Sequence, residues 1–255
     1  MIATVIHVPS DGAWFEGHFP GRPILPGVAE IALAVDTLAP AAHPLSLQGI
    51  AFARLRELVF PGDRLELAAR EQQAGRLRID LKRDGVLVAN GELIVGAPDV
   101  LPRQPVAAAF AAGPANDIPD LDDLLPHRAP MRFLTAILQE TTDSLTCSAR
   151  IPARCALVRG GQAPAVAAIE AAAQAAAAWE GLRRWRGAGV ASPRIGYLVA
   201  LREITFHTGS VPAERDLMVS VRLDAAAPPL THYRIEVSLD GTLVTQGTIA
   251  TFLAT

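Results

Sequence analysis

The chain has 255 residues, half of them hydrophobic, and a formal net charge of −3. This length suits one large domain or two of ordinary size, and the apolar content is enough for a substantial core. The slightly acidic balance gives no reason to expect a nucleic-acid partner. The two cysteines, Cys147 and Cys155, match no metal spacing and no disulfide framework, so we interpret them as reduced core thiols of a cytoplasmic protein.

No targeting or membrane segment is predicted. The N-terminal residues carry neither a basic region nor a cleavage signal. The most apolar stretch, Ala163 to Trp179, is interrupted by Glu170 and Gln174, and it is shorter than the ~20 apolar residues that a membrane span needs. We therefore expect a soluble protein without a membrane span.

The first half of the chain predicts one helix and several antiparallel strands. Residues 2–8 alternate weakly and are β-branched, which is typical of a strand. A loop follows, and then a helix from about Pro26 to Leu38, stopped by Pro40. Further strands are predicted from Ile50 to Phe60, Leu65 to Ala69, Arg76 to Leu81 and Val86 to Val95. One helix with several long antiparallel strands indicates an α+β fold.

Residues 97–117 are dominated by Ala, Pro and Gly and predict a linker. The domains are therefore predicted at 1–98 and 118–255, with a linker at 99–117. After it the pattern starts again, with an alanine-rich helix from Ala165 to Arg186. The strands predicted there run from Ser144 to Ile151, Ile195 to Phe206, Leu217 to Leu223, Tyr233 to Leu239 and Leu243 to Phe252.

The two halves also repeat at the level of individual residues. Arg78 to Leu81, followed by an Asp-Gly turn, recurs as Arg234 to Val237 with its own Asp-Gly turn. Gly91 recurs as Gly247 in the strand that follows each turn. Two copies of one unit are therefore predicted, each a twisted antiparallel sheet around one helix.

The loop from Trp14 to Val28 contains three prolines, three glycines and one histidine, His18. Because proline fixes φ and glycine permits unusual backbone angles, this loop should be stiff. It leads into the start of a helix, where free N–H groups can hold a partial negative charge. A histidine beside such a donor is the outline of a proton-transfer site.

Three sequence motifs resemble one family. The loop, H-F-P-G-x-P-x-x-P-G-V, resembles the signature of the hot-dog-fold 3-hydroxyacyl-[acyl carrier protein] dehydratases. Leu125 to Arg128 resembles their L-P-H-R stretch, and Pro164 to Gln174 resembles their helix with E-x-x-A-Q. More narrowly, the halves resemble the H-F-P-G and E-x-x-A-Q partners of the paired aryl polyene dehydratases. The resemblance implies a double hot-dog, an intrachain pseudo-dimer whose further oligomerisation is left open.

The family's catalytic pair is a His in the loop and a Glu fourteen residues later in the helix. Fourteen residues after His18 stands Ala32, and fourteen before Glu170 stands Ala156. Glu30 comes two residues too early, which turns it about 200° around a helix, so it should face elsewhere. In the homodimeric family, the His of one subunit works with the Glu of its partner. The resemblance therefore implies one composite site of His18 and Glu170; the alternative is that both halves are decayed copies.

The resemblance implies a role for each site residue. His18 would be the base, and the Gly27 N–H would hold the oxyanion. Glu170 has apolar neighbours, which should raise its pKa and let it donate a proton or position the departing water. Gln174 lies one turn further on the same face, where it would orient Glu170 or merely cap the core.

The remaining residues of the motifs receive lesser roles. Phe19, Pro26 and Val28 would contact or orient the substrate. His127 is not the family's catalytic histidine, so we expect it to satisfy a turn or pack under the helix. No cofactor and no metal are expected.

Two features of the second helix have alternative interpretations. The small residues Ala171 to Ala178 would leave room for an acyl tunnel or serve close helix packing. Arg183, Arg184 and Arg186 would help dock an acidic carrier protein, although basic residues at a helix C-terminus need no partner.

The predicted function is dehydration of a 3-hydroxyacyl thioester, on an acyl carrier protein bearing phosphopantetheine, to the trans-2-enoyl thioester. It would serve fatty-acid or aryl polyene and polyketide-type biosynthesis. The alternatives are a hot-dog thioesterase and a non-catalytic partner that binds the carrier protein.

Overall fold

The computed structural model describes residues 2–39, 46–96, 118–189 and 191–253. In the first half the elements are β1 (Ile2–His7), α1 (Gly27–Leu38), β2 (Ser46–Leu55), β3 (Arg64–Gln73), β4 (Arg76–Arg83) and β5 (Val86–Gly96). In the second half they are α2 (Leu121–Leu124), β6 (Leu134–Glu140), β7 (Ser144–Arg150), β8 (Gln162–Pro164), α3 (Ala167–Ala188), β9 (Gly196–Phe206), β10 (Ser210–Pro212), β11 (Asp216–Ala227), β12 (Leu230–Leu239) and β13 (Thr242–Leu253).

One antiparallel sheet of eleven strands runs through both halves, in the order β1-β3-β4-β5-β2-β9-β13-β12-β11-β7-β6. The halves join where β2 pairs with β9, with Gly49 opposite Thr205 and Arg54 opposite Ala200. The helices α1 and α3 contact each other. The continuous sheet and the adjacent helices agree with the arrangement expected of an intrachain pseudo-dimer.

The repeated glycines have the same structural reason in both halves. A Cβ on Gly91 would lie 2.7 Å from the Phe52 carbonyl oxygen, on the neighbouring strand β2. A Cβ on Gly247 would lie 2.8 Å from the Glu203 carbonyl oxygen, on the neighbouring strand β9. In each half the strand therefore approaches its neighbour too closely for any side chain at this position.

The long helix α3 forms because its sequence is rich in alanine, the best helix former. It ends at Gly189, whose φ of 69° is the left-handed conformation that closes many helices. Ala167, Ala171, Ala175 and Ala178 are fully buried in the core. These small side chains let α3 pack closely against the sheet.

Most predicted elements lie within a few residues of those observed, and the differences have local reasons. The second strand ends at Leu55 rather than Phe60, since Arg56 and Glu57 instead bond to the Val88 carbonyl. The short elements α2, β8 and β10 were not predicted, because three or four residues carry too little periodicity. Strand β6 was missed as well. The predicted linker and Pro40 lie outside the described residues.

Within the described ranges, none of the helices combines the length and the apolar character that crossing a membrane requires.

Candidate active site

The His18 loop is held by its own backbone hydrogen bonds. Phe19 and Arg22 exchange N–H···O bonds of 3.1 and 3.0 Å, and the Ile24 N–H donates to the His18 carbonyl at 3.0 Å. The His18 Nδ1 lies 3.0 Å from the Ile24 carbonyl oxygen. Because a carbonyl can only accept, Nδ1 carries the proton and Nε2 is left with a lone pair. His18 is therefore presented as the tautomer that a general base requires.

Gly17 brings the second half of the chain against this loop. Its φ is 82°, and a Cβ there would lie only 2.0 Å from the Arg128 carbonyl oxygen. The Arg128 N–H donates to the Gly17 carbonyl at 3.0 Å. A glycine is required because any side chain would collide with this backbone. The contact places the segment around His127 beside His18.

Glu170 lies in the first turn of α3 and is fixed by Gln174. The Gln174 Nε2 donates to Glu170 Oε1 at 3.0 Å and to the Met131 carbonyl at 2.7 Å. The Gln174 Oε1 accepts the Phe133 N–H at 2.8 Å. Gln174 is fully buried, so it ties Glu170 to the segment before β6. Of the two roles expected for Gln174, these contacts favour the orienting one.

Three buried side chains meet across the two halves. One ligand-type atom from each of His18, His127 and Glu170 lies within 4.8 Å of the other two. The His127 Nε2 is 3.3 Å from Glu170 Oε1, and the rings of His18 and His127 are 5.3 Å apart. The sequence-predicted residues His18 and Glu170 are thus brought together.

The expectation that His127 serves only a turn or packing needs correction. His127 contacts Glu170, packs edge-on against Phe19 at 4.8 Å, and lines the same cavity as His18. The only signal in the sequence was the L-P-H-R motif itself. The spacing of the motif says nothing about what His127 meets, because its partners are His18 in the other half and Glu170, forty-three residues away.

The electrostatics of this cluster differ from the prediction. Burial lowers the pKa of His18 to about 4; the Glu170 charge opposes this shift and His127 adds to it. For Glu170, burial would raise the pKa, but hydrogen bonds from His127 and Gln174, and the positive charge of either histidine when it is protonated, lower it below its ordinary value. The predicted rise is therefore wrong, because apolar neighbours are outweighed by the polar groups that face the carboxylate. Glu170 is ionised and His18 is neutral at pH 7.

A cavity of about 820 Å³ opens beside the cluster. Gly27, Leu55 and Leu198 line it, together with Ala173 and Ala177 from α3. Among the backbone hydrogen bonds of the described residues, none uses the Gly27 N–H as donor. This N–H is therefore available to a substrate carbonyl. The alanines of α3 divide into two groups, since Ala173 and Ala177 face the cavity while others pack in the core.

The three residues expected to contact or orient the substrate, Phe19, Pro26 and Val28, lie around the cluster rather than along the cavity. Phe19 is buried and stacks on the His18 ring at 4.2 Å. Pro26 precedes α1, and its carbonyl accepts the Ala29 N–H at 2.8 Å. Val28 is completely buried in the core. These residues position His18 and Gly27, whereas the cavity wall beside them is made by Ile24 and Leu25.

Glu30 does not face away, as its position in the sequence predicted. It is buried and lines the cavity, because it lies three residues after Gly27, on the same side of α1. Burial raises the pKa of Glu30 well above its ordinary value, and Arg83 offsets this only in part. Its Oε2 has no hydrogen-bond partner among the described residues. Ala32, which takes the family's acid position, is buried as well.

The clustered side chains could also hold a metal ion. Two imidazole nitrogens and one carboxylate oxygen form a donor set that binds Zn²⁺ in other proteins. However, the His127 Nδ1 has no hydrogen-bond partner within the described part of the chain, whereas ligating histidines usually donate their second N–H. The absence of a metal requirement stays a prediction.

The sheet shared by the two halves, the adjacent helices and the meeting of His18 with Glu170, whose ligand-type atoms lie within 4.8 Å, define a double hot-dog protein with a buried cluster between its halves. Residues 119–255 match the family model described as ApeP-like, ApeP dehydratase. Since this match covers more than half of the chain, the chain belongs to the ApeP-like family. Residues 1–92 match the model described as ApeI-like, ApeI dehydratase. The predicted resemblance to the two paired partners is confirmed.

Individual proteins show the same likeness. The 3-hydroxyacyl-[acyl-carrier-protein] dehydratase FabZ of Sorangium cellulosum is 36% identical over 100 residues, which is 34% of this chain and 64% of that protein. A second FabZ, from Roseiflexus, is matched over 61% of its length. The chain thus spans less than two thirds of the length of these curated relatives.

Solved structures share the fold. The dehydratase heterocomplex ApeI:P from Xenorhabdus doucetiae is matched with a TM-score of 0.50 at 22% identity, over 55% of this chain and 93% of that one. The dehydratase domain of RzxB from Pseudomonas fluorescens is matched with a TM-score of 0.65 at 17% identity, over 97% of this chain and 93% of that one. The second match extends over both halves and confirms the predicted double hot-dog fold.

Proposed function

We propose that this protein dehydrates a 3-hydroxyacyl thioester to the trans-2-enoyl thioester at one composite site. The observation that carries the proposal is the meeting of His18 and Glu170, from different halves, within one buried cluster. Neither half of the chain has both residues in the family's spacing. Ala32 and Ala156 stand at the positions that a second such pair would need, so one site per chain is expected.

The first step is removal of the C2 proton. The thioester carbonyl accepts the free Gly27 N–H at the start of α1, which stabilises the negative charge that develops on its oxygen. The neutral His18 takes the proton on Nε2, while its Nδ1–H stays bonded to the Ile24 carbonyl. The pKa of about 4 keeps His18 in the basic form at neutral pH.

The second step is loss of the C3 hydroxyl. Because Glu170 is ionised, it accepts a hydrogen bond from this hydroxyl and orients it, rather than donating a proton. The His18 imidazolium, formed in the first step, returns its proton to the departing oxygen, and water leaves. The proton removed from C2 therefore leaves within the water molecule, and one base, His18, serves both steps. His127 and Gln174 keep the Glu170 carboxylate in place by their contacts at 3.3 and 3.0 Å.

We extend the proposal to the protein that delivers the substrate and to the cellular setting of the reaction. We take an acyl carrier protein to deliver the substrate on its phosphopantetheine arm, in a fatty-acid or aryl polyene and polyketide-type pathway. This rests on the family match and on the names of the similar proteins. We place the reaction in the cytoplasm, supported by the two buried cysteines, which are free thiols.

Product analysis tests the proposal. The protein is incubated with a 3-hydroxyacyl carrier protein, and the products are separated by mass. An enoyl thioester supports dehydration, whereas free acid and thiol would show a thioesterase. H18Q and E170Q should each lower turnover by about a hundredfold or more, while the exposed controls H7Q and E71Q should not. Wild-type turnover in both site variants would contradict the composite site.

A further inference from the structure

One face of α3 forms a wall of the cavity. Its members are Glu170, Ala173, Ala177, Glu180 and Arg184, which follow each other at steps of three or four and so share a helix face. From Glu170 to Arg184 the helix axis runs about 21 Å. The cavity therefore extends from the reacting cluster to a second, polar end near the C-terminus of α3.

The three arginines of this helix end have different surroundings. Arg183 stacks over the Trp179 ring at 5.4 Å, and Arg186 forms a 2.5 Å ion pair with Glu140. Arg184 lines the cavity, and its Nη1 is buried without a hydrogen-bond partner among the described residues. The guanidinium groups of Arg183 and Arg186 thus have partners within the chain, whereas the Nη1 of Arg184 has none among the described residues.

A buried guanidinium nitrogen without an acceptor is unfavourable, because its hydration is lost and not replaced. Burial, and then the charge of Arg194, lower the pKa of Arg184, while Glu180 and Tyr233 oppose this. Arg194 also lines the cavity. The charges of Arg184 and Arg194 therefore act on each other there, and the neighbouring carboxylate, Glu180, already accepts the Tyr233 hydroxyl. The polar end therefore carries two neighbouring guanidinium groups and, at Arg184 Nη1, a buried donor without an acceptor among the described residues.

We propose that Arg184, with Arg194, binds an anionic oxygen group of the bound thioester at this end of the cavity. The proposal rests on the proposed function, since it concerns the same cavity and the same substrate. Such a group has two sources. One is the phosphate of the phosphopantetheine arm, on the thiol side of the thioester; the other is a carboxylate at the far end of the acyl chain.

Binding of unreactive thioesters tests the proposal without requiring turnover. Three sets of ligands are measured by titration calorimetry: neutral acyl-pantetheines, the same compounds with the 4′-phosphate, and acyl-pantetheines ending in a carboxylate, over a series of chain lengths. The wild-type protein should bind one anionic set at least about tenfold more tightly than its neutral counterpart, since hydrogen bonds between charged groups are stronger than neutral ones and tenfold corresponds to only about 1.4 kcal/mol.

The variants are R184M, R194M and the matched control R186M. R184M should abolish the preference for the anionic set, R194M should reduce it, and R186M should keep it. Arg194 is exposed, so the R194M variant should fold and remains informative if R184M does not. R184K should keep part of the preference, because a charge remains without the planar fork of donors.

The two sources give different results. A preference for the phosphorylated set assigns the polar end to the arm, and a preference for a carboxylate at one chain length assigns it to the acyl end. Equal affinity of the wild type for all three sets would overturn the proposal, as would a preference that persists in both R184M and R194M. Failure of dehydration with every substrate would instead contradict the proposed function and leave these affinities unchanged.

Discussion

Replacement of His127 separates a role in catalysis from a role in packing. His127 Nε2 lies 3.3 Å from the Glu170 carboxylate, and its ring packs on Phe19. H127F keeps an aromatic ring of similar size but removes the donor. H127Q loses the ring but retains an N–H that can reach the carboxylate. The two variants therefore remove one contact each.

The structure sets the size of the expected effect. H127F leaves a buried carboxylate with one donor fewer, which costs roughly 1–3 kcal/mol and should raise the pKa of Glu170, because a hydrogen bond to the charged form is lost. The Gln174 Nε2 still donates to Glu170 Oε1 at 3.0 Å, but this contact alone holds the carboxylate less firmly than two donors do. We expect kcat to fall by about ten- to a hundredfold with little change in KM, and the H127Q variant to recover most of this loss.

Steady-state kinetics with a 3-hydroxyacyl thioester provide the readout, and the unfolding free energy is measured in parallel. H7F, at the exposed end of β1, is the control and should behave as the wild type. If H127F is as active as H127Q, or more active, then His127 only packs against Phe19 and the argument fails. Equal loss of stability in both variants with unchanged kcat would lead to the same conclusion.

Three further predictions follow from the site. The double variant A32E/E170A carries the acid in the same half as His18 but in the other site, so turnover measured with the wild-type substrate should stay at background; recovery of activity would disprove pairing across the halves. In wild type, kcat/KM should hold from about pH 8 down to pH 5 and fall near pH 4, where His18 becomes protonated; a fall as pH rises through 5 would instead require a protonated Glu170. Because the folded-state pKa of Glu30 is raised, its ionisation costs stability as pH rises above its unfolded value of about 4.3, so E30Q should raise Tm more at pH 8 than at pH 5, and an equal change at both values would contradict this.

The repeat could be predicted from local patterns, and the family resemblance added the expected split of a catalytic His and Glu between the two halves. The strands alternate, α3 is rich in alanine, and the His18 loop has a spacing that few loops share. Gly91 and Gly247 recur because in each half the same strand closely approaches the backbone of its neighbour. The repeat is encoded a few residues at a time, whereas the expected composite site came from the family's His–Glu spacing, which neither His18 with Ala32 nor Ala156 with Glu170 satisfies within one half.

Only the tertiary structure decided the surroundings of individual side chains. His127 enters the cluster through the close backbone contact of Gly17 with Arg128, which no periodicity encodes. The direction of the Glu170 pKa shift depends on the sum of burial and the groups that face it from three segments. Among the three arginines that end α3, only packing separates the one in the cavity from those on Trp179 and Glu140. Helix and strand propensity act over neighbouring residues, whereas contact and electrostatic field act through space between residues far apart in the chain.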